Sequence, residues 1–328
     1  MRTRATRRGL QLTELGLGAA QFGNLGRETT DEQAAGAVSA AWSGGVRYFD
    51  TAPHYGLGLS ERRLGKLLRE LPRDEYLVSS KVGRLLVPSP ETADRLDDDG
   101  FVVPAATRRS WDFSRDGILR SLESTLERTG LDSIDIVYLH DPDDHLEQAL
   151  GEGIDTLIEL REQGVVRAVG AGMNQSAALA ALIRAADVDL VMLAGRYTLL
   201  EQGAADDLLP LALERGVGVV IAGVYNSGLL SSRRPASGAK YDYQDAPAEL
   251  IARANAIADV CEAHGVSLPE AALAFPLLHP AVVSVVVGVR DAPQMTGNLE
   301  RYTATVPEAL WSDLHVAGLL PDSFSPQA

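Results

Sequence analysis

Short apolar runs, most of them rich in β-branched residues, alternate with longer amphipathic segments along almost the whole chain. The apolar runs have the length and composition of buried strands. Eight of them are predicted strands, and in chain order they end at Ala20, Asp50, Lys81, His140, Gly170, Ala194, Ala222 and Gly288. Continuous apolar strands that are each followed by a helix predict a parallel sheet covered by helices, which is an α/β fold.

The segments between these strands carry recognisable helix starts and stops. Thr30 and Gln33 form a capping box in front of one helix. Ser60 precedes a second helix, and Ser114 precedes a third that ends at Gly130. Further helices are predicted over residues 153–163, 176–186, 206–215, 246–264, 267–278 and 292–302. Eight units of strand and helix favour a closed (βα)8 barrel, the TIM barrel.

An open, doubly wound sheet is the alternative fold. Its nucleotide-binding fingerprint contains three glycines, whereas the one candidate here, from Gly16 through Gly18 to Gln21, lacks the third. We therefore predict a single barrel domain over residues 1–328. Two long connections, at about 82–113 and 224–245, leave the carboxyl ends of strands three and seven, where barrel enzymes hold their sites.

Charge and cysteine content restrict the partners that we expect. The chain of 328 residues has 30 Lys and Arg against 45 Asp and Glu, and its formal net charge of −15 disfavours a nucleic-acid partner. The single Cys261 cannot form an internal disulfide, so a reducing, cytoplasmic location is expected. No apolar run approaches a membrane span and the basic start MRTRATRRGLQL lacks a signal-peptide core, so we expect neither a membrane partner nor secretion.

Four chemically active side chains lie at the ends of three successive predicted strands. The text YFDTAPHYGLGLSERRLGKLL contains Asp50 and Tyr55, SSKVG contains Lys81, and VYLHDPDD contains His140. Singly, each has an ordinary interpretation: a turn aspartate, a packing tyrosine, a surface lysine and a buried histidine. Their joint placement at the ends of strands two, three and four predicts instead that they meet at one mouth of the barrel.

These motifs resemble the active site of the aldo-keto reductase family, and the resemblance covers about residues 15–299. It implies a barrel that moves a hydride between NAD(P) and a carbonyl or hydroxyl carbon of a small molecule, without a metal. The catalytic residues that it implies are Asp50, Tyr55, Lys81 and His140.

The residue types fit this chemistry on physical grounds. A phenol has an ordinary pKa of about 10, and a nearby ammonium such as that of Lys81 favours its ionised form. Asp50 would hold Lys81 charged and oriented, while a neutral His140 can hydrogen-bond the substrate oxygen. Tyr55 would then donate a proton in reduction and accept one in oxidation.

The resemblance also implies a cofactor site after strands five and eight. In AGMNQ, Asn174 would hold the nicotinamide amide. In VVVGVRDAPQMTGNL, the contacts implied with the adenosine phosphate end are Gly288, Arg290, Gln294 and Asn298. A helix that begins near Ala292 would aim its positive end at phosphate. Because Gln294 lies where many NADP-preferring members have an arginine, NAD or dual use is expected, and the choice stays open.

Other stretches, LAGRYTLLEQ, GVYNSGLL and HDPDDHLEQAL, resemble the branch of the family whose members oxidise aldoses or pyridoxal. This implies oxidation of a cyclic hemiacetal, such as that of L-fucose or pyridoxal, to a lactone, or reduction of the corresponding carbonyl. Trp111 and Phe113 in the third loop and Tyr225 after strand seven are the predicted walls of the substrate pocket.

Two other functions stay open at this point. Lys81 could form a Schiff base in a barrel lyase, since a desolvated lysine at a strand end can serve as a nucleophile. The barrel could also be a non-catalytic subunit that senses nucleotides. A metal site is not expected at His140–His145, because no other His or Cys pair has the spacing of metal ligands.

Overall fold

The computed structural model of the protein describes residues 1–235, 238–242 and 244–321. The strands in these ranges are β1 (Thr3–Ala5), β2 (Gln11–Thr13), β3 (Leu15–Gly18), β4 (Tyr48–Asp50), β5 (Leu77–Val82), β6 (Arg84–Pro88), β7 (Thr107–Trp111), β8 (Ile136–His140), β9 (Ala168–Met173), β10 (Leu190–Ala194), β11 (Gly218–Ala222), β12 (Lys240–Tyr241), β13 (Gln244–Asp245) and β14 (Val282–Gly288). The α-helices in the same ranges are α1 (Asp31–Ser43), α2 (Leu59–Leu68), α3 (Arg115–Thr129), α4 (Leu146–Gln148), α5 (Ile154–Glu162), α6 (Ser176–Ala185), α7 (Leu208–Arg215), α8 (Ala248–Ala263), α9 (Leu268–Ala274), α10 (Ala292–Thr303) and α11 (Glu308–Val316).

Eight parallel strands close into a barrel in the order β3, β4, β5, β8, β9, β10, β11 and β14. Each pairs with the next barrel strand along the chain, and β14 closes the ring on β3. Helices cover the outside of this ring, as crossover connections between parallel strands require. The predicted (βα)8 barrel is confirmed, and the alternative of an open sheet is excluded.

Two apolar layers fill the structure. The larger lies between the barrel and its helices. The smaller fills the barrel interior, where Tyr48, Tyr138 and Met192 meet side chains of the other strands. Leu10 and Leu12 join this interior layer from the β1–β2 hairpin. The hairpin thereby closes the amino-terminal end of the barrel and leaves the carboxyl end for a cleft.

The fifth strand of the barrel, β9, is longer than the sequence predicts. β9 runs to Met173 rather than ending at Gly170. Glycine is a poor strand former, but here it is required: a Cβ on Gly170 would lie 1.6 Å from the carbonyl oxygen of Leu190 in the neighbouring strand. The residue that weakens the strand pattern in the sequence is therefore the one that lets two strands approach.

Two other boundaries also differ from the prediction. β3 ends at Gly18 rather than Ala20, because the chain turns there into a short 3-10 helix. α2 begins at Leu59, so Ser60 lies inside the helix instead of capping it. The Ser60 hydroxyl donates to the Ala19 carbonyl at 2.7 Å and so fixes α2 to the end of the first barrel strand.

The connection predicted at about 82–113 contains ordered structure. β6 and β7 form an antiparallel hairpin in which Arg84 lies opposite Trp111. The segment between them folds back so that Phe101 and Val103 pack with Leu57 beside the carboxyl end of the barrel. The second connection, predicted at about 224–245, contains β12 and β13 and lies partly outside the described residues.

Candidate active site

A cleft of about 1040 Å³ opens at the carboxyl ends of the barrel strands. This is the end at which (βα)8 enzymes hold their sites. The strands bring the four predicted catalytic side chains together there, since the cleft is lined by Asp50, Tyr55, Lys81 and His140.

Lys81 and Asp50 form a buried ion pair at the ends of neighbouring strands. The Lys81 ammonium donates to Asp50 Oδ2 at 2.7 Å and to the Thr51 carbonyl at 3.0 Å. Ser79 donates to the other carboxylate oxygen at 2.7 Å. Burial alone would lower the pKa of Lys81, but Asp50 and Tyr55 together outweigh it through their charges and hydrogen bonds, and the pKa lies above its ordinary value. Lys81 is therefore a fixed cation.

Tyr55 lies beside this cation in the loop between β4 and α2. The ammonium of Lys81 is 4.8 Å from the centre of the Tyr55 ring. The loop is held by close packing: Gly56 has a positive φ of 61°, and a Cβ there would lie 2.2 Å from the Gly23 carbonyl oxygen. Burial raises the pKa of Tyr55, while the charge of Lys81 and its hydrogen bond to the phenol oppose that rise.

His140 is neutral at the end of β8. Burial and the positive charges of Arg84 and Lys81 lower the pKa of His140 well below its ordinary value. Its ring lies edge-on to Tyr55, with 5.9 Å between the ring centres. A phenol and a neutral imidazole therefore share one side of the cleft, and both can hydrogen-bond a single oxygen atom.

The predicted cofactor residues Asn174, Gly288, Gln294 and Asn298 also line the cleft. Gln294 and Asn298 lie on α10, whose amino terminus is capped by the Asp291 carboxylate. The Asn298 side chain accepts a hydrogen bond from the Tyr225 hydroxyl at 2.7 Å. Arg301 lines the same end of the cleft, one turn further along the helix.

These residues fit a nicotinamide dinucleotide. The cleft is large enough for a cofactor of that size, and the same cleft contains the side chains that are predicted to be catalytic. Amide side chains are suited to a nicotinamide amide and to sugar hydroxyls, while the guanidinium of Arg301 suits a phosphate. Sequence motifs alone do not assign a role to Arg301, although it follows Asn298 at the three-residue spacing that puts two side chains on one helix face.

Arg290 lies apart from the other cofactor candidates. Its guanidinium is buried and donates to the carbonyls of Leu25 at 2.7 Å and Arg27 at 2.9 Å, and to the Thr29 hydroxyl at 2.5 Å. It is not among the residues that line the cleft. The structure thus has Arg290 holding the loop between β3 and α1, and its contact with the cofactor stays a prediction.

The three side chains that are predicted to form the walls of the substrate pocket lie in different places. Tyr225 lines the cleft, but beside Asn298, which is a predicted cofactor residue. Phe113 is fully buried in the layer between barrel and helices. Trp111 is exposed and stacks on His145 outside the residues that line the cleft. Phe113 and Trp111 therefore do not form the cleft wall in this structure.

Two side chains that sequence reasoning did not assign to substrate line the cleft instead, His54 and Asp141. His54 directly precedes Tyr55, and the rings of His54 and His140 lie 5.5 Å apart. Burial and the guanidinium groups of Arg109 and Arg84 lower the pKa of His54 to about 2, so its ring is neutral. Both residues lie in motifs that the sequence shows, but the sequence does not predict the β6–β7 hairpin, which brings Arg84 and Arg109 to them.

Within the described residues, no group of three or more His, Cys, Asp or Glu side chains could hold a metal ion. The helices in those same ranges include none that is long and apolar enough to cross a membrane.

The barrel, the ion pair beside a phenol and the dinucleotide-sized cleft define a class of oxidoreductase. The sequence model of the aldo/keto reductase family matches residues 14–315. The chain belongs to the aldo/keto reductase family, whose members carry out oxidoreduction of carbonyl and alcohol substrates with NAD(P)-type nucleotides.

Several relatives are similar over almost the full length. The chain is 49% identical to D-threo-aldose 1-dehydrogenase of a Pseudomonas species, over 95% of this chain and 96% of that protein. It is 39% identical to pyridoxal 4-dehydrogenase of Microbacterium luteolum, with 96% of each chain covered. Among solved structures, the holo form of an aldo-keto reductase from Bacillus halodurans superposes with a TM-score of 0.75 at 25% identity, over 98% of this chain and 97% of that one.

Proposed function

We propose that this protein is an NAD(P)-dependent dehydrogenase that oxidises the cyclic hemiacetal of an aldose to a lactone. The observation that carries the proposal is the convergence of a phenol, a buried ammonium and a neutral imidazole on one cleft. The similarity to D-threo-aldose 1-dehydrogenase supports an aldose, and the similarity to pyridoxal 4-dehydrogenase makes pyridoxal, which also forms a cyclic hemiacetal, the second substrate to test.

In this proposal Tyr55 is the acid-base catalyst and His140 orients the substrate. The neutral imidazole of His140 hydrogen-bonds the oxygen on the reacting carbon. The ionised phenol of Tyr55 takes the hydroxyl proton as the bond between carbon and hydrogen breaks and the carbonyl of the lactone forms. Reduction runs through the same groups in reverse, with Tyr55 as the proton donor.

Lys81 and Asp50 act on the reaction through Tyr55. The Lys81 ammonium stabilises the phenolate, and the Asp50 carboxylate at 2.7 Å keeps the ammonium charged and in place. The same charge state argues against a Schiff-base lyase, because a protonated, ion-paired amine is not a nucleophile.

The bound cofactor supplies the hydride acceptor for oxidation. Asn174 would hold its nicotinamide end, while Gln294, Asn298 and Arg301 would hold its adenosine and phosphate end. We propose that NAD+ is used at least as well as NADP+. Gln294 offers no positive charge to a 2′-phosphate, and the guanidinium of Arg290 is already occupied by three contacts with the loop of residues 25–29.

The test is a steady-state assay of nicotinamide reduction with NAD+ and NADP+ in separate reactions. The substrates are L-fucose, D-arabinose, L-galactose, pyridoxal and simple aldehydes, with Tyr55→Phe as the matched variant. We expect reduction of NAD+ with at least one sugar and a loss of at least roughly 10²-fold in the variant. Cofactor binding without turnover in either direction would instead identify a nucleotide-sensing subunit, and a clear preference for NADP+ would overturn the proposed cofactor choice.

A further inference from the structure

Asp141 presents a carboxylate to the cleft immediately beside His140. Its Oδ2 lies 3.6 Å from Nε2 of His140, and its side chain is 29% exposed. Oδ2 accepts a hydrogen bond from Arg84 at 2.6 Å. Within the described part of the chain, Oδ1 accepts none, so one carboxylate oxygen is free to bind a ligand in the cleft.

The backbone holds Asp141 in an unusual conformation. Its φ is 38°, in the left-handed region that residues other than glycine seldom adopt. The Asp141 amide donates to the Gly172 carbonyl of the neighbouring strand at 3.0 Å, which fixes the residue at the barrel mouth. The last residue of β8, His140, and the residue after it, Asp141, thus present two adjacent polar side chains to the same cleft.

The β6–β7 hairpin fixes the position of this carboxylate. Arg84, at the start of β6, is nearly buried and forms the ion pair with Asp141. At the other side of the hairpin, Arg109 donates to His54 Nδ1 at 2.6 Å and pairs with Asp97. Asp141 is therefore a preorganised acceptor, which favours ligand binding because little mobility is lost.

We propose that Asp141 is a specificity-determining residue that accepts a hydrogen bond from a substrate hydroxyl on the carbon next to the reacting carbon. This inference rests on the proposed function. His140 binds the oxygen on the reacting carbon, and the neighbouring hydroxyl of an aldose is the group that lies beside that oxygen. The hydroxyl at carbon 2 can therefore reach a hydrogen-bond acceptor that lies next to His140.

The charges of this wall favour a neutral polyol over an anion. The Arg84 guanidinium is neutralised by Asp141, and that of Arg109 by Asp97 and Asp99. A substrate phosphate or carboxylate beside Asp141 would be repelled by its carboxylate, and neither Arg84 nor Arg109, the two guanidinium groups of this wall, is left without an acidic partner to offset that repulsion. A hydroxyl donor completes the hydrogen bonding of Asp141 without adding charge.

The experiment compares substrates that differ only at carbon 2. D-arabinose is assayed against 2-deoxy-D-ribose, and L-fucose against its 2-deoxy analogue, with wild type, Asp141→Asn and Asp144→Asn. Asp144 is exposed on the same loop, so its variant removes the same charge without touching the cleft. Wild type and Asp144→Asn should favour the hydroxylated sugar in kcat/KM by roughly 10- to 100-fold, the effect of a hydrogen bond to a charged group. Asp141→Asn should reduce that ratio to within a few fold.

The outcomes separate this inference from the function on which it rests. A protein that oxidises none of the sugars contradicts the proposed function. Turnover with equal kcat/KM for each sugar and its 2-deoxy analogue in the wild type overturns the role of Asp141, even where Asp141→Asn does not fold. A variant that folds, as judged by thermal unfolding, but loses activity on both sugars equally would show that Asp141 only supports the hairpin.

Discussion

At the scale of single residues, the proposed mechanism depends on the ammonium of Lys81, which acts on the pKa of Tyr55. Burial raises the pKa of Tyr55, and Lys81 is the main group that opposes the rise. In the proposed oxidation the Tyr55 phenolate is the base, so a higher pKa would leave less of the active form at neutral pH. Removing the ammonium must therefore move the rise of the oxidation rate to higher pH.

We expect Lys81→Met to lower kcat/KM for oxidation at pH 7 by roughly 10²- to 10⁴-fold, with partial recovery at alkaline pH. The variant leaves the Asp50 carboxylate buried without its partner, so Asp50→Asn/Lys81→Met is the matched control that removes both charges. The pH at the midpoint of the rate profile should rise in both variants, because Lys81 affects the pKa of Tyr55 more strongly than Asp50 does. Rate profiles over the neutral to alkaline range are the measurement, and an unmoved midpoint would contradict the role of Lys81.

The sequence predicts the central residues of the site because each lies at the end of a strand whose position is fixed by the barrel. Asp50, Lys81 and His140 need no knowledge of loop conformation, only the rule that parallel strands end together. The roles of His54 and Asp141 cannot be predicted in this way. Their partners Arg109 and Arg84 lie on a hairpin whose strand pairing the local sequence does not reveal.

At the scale of secondary-structure elements, period and capping predict the regular units. The capping box of Thr30 and Gln33 and the helix between Ser114 and Gly130 are both confirmed. The β6–β7 hairpin is not predicted, because β7, with the sequence TRRSW, has two arginines and a serine instead of an alternating apolar pattern, and the short apolar run of β6, RLLVP, ends in proline. The same holds for the short β1–β2 hairpin, whose first strand is largely exposed.

Arg290 connects two such elements, the end of β14 and the loop before α1. If it acts as a clamp on residues 25–29, Arg290→Met should lower stability by roughly 2 to 4 kcal/mol, from the loss of three hydrogen bonds. It should also raise the KM for NAD+ and NADP+ by a similar factor, since Leu25 lines the cleft. Kinetics with each cofactor and thermal unfolding are the measurements.

Arg290→Lys distinguishes this clamp from a phosphate contact. Lysine keeps the charge but cannot make the three directed contacts of a guanidinium. If Arg290 acts as a clamp, Arg290→Lys should therefore affect stability and KM in the same way as Arg290→Met. A variant in which lysine restores NADP+ use, or in which NADP+ alone is affected, would support the contact with phosphate that the sequence implies.

At the scale of the whole molecule, contacts around the amino-terminal hairpin join the beginning of the barrel to its last strand, β14, and to α10. Glu14 is buried and accepts hydrogen bonds from Arg2 and Arg4 at 2.8 Å each, and from the Tyr302 hydroxyl at 2.8 Å. Arg4 also donates to the carbonyls of Leu277 and Val282 before and within β14. These contacts lie at the end of the barrel opposite the cleft.

We expect Glu14→Gln to lower the free energy of unfolding at pH 7 by roughly 1.5 to 3 kcal/mol, through the loss of charge-assisted hydrogen bonds, with kcat unchanged at moderate temperature. Burial raises the pKa of Glu14, but the bonds from Arg4, Tyr302 and Arg2 outweigh it and hold the pKa below its ordinary value of 4.5. The stabilisation is therefore complete above that value and is lost as the pH falls through the lower folded-state pKa. Thermal unfolding of both proteins at neutral and acidic pH should show a gap that closes on acidification; a gap that is constant with pH would mean that Glu14 stabilises the hairpin by packing alone.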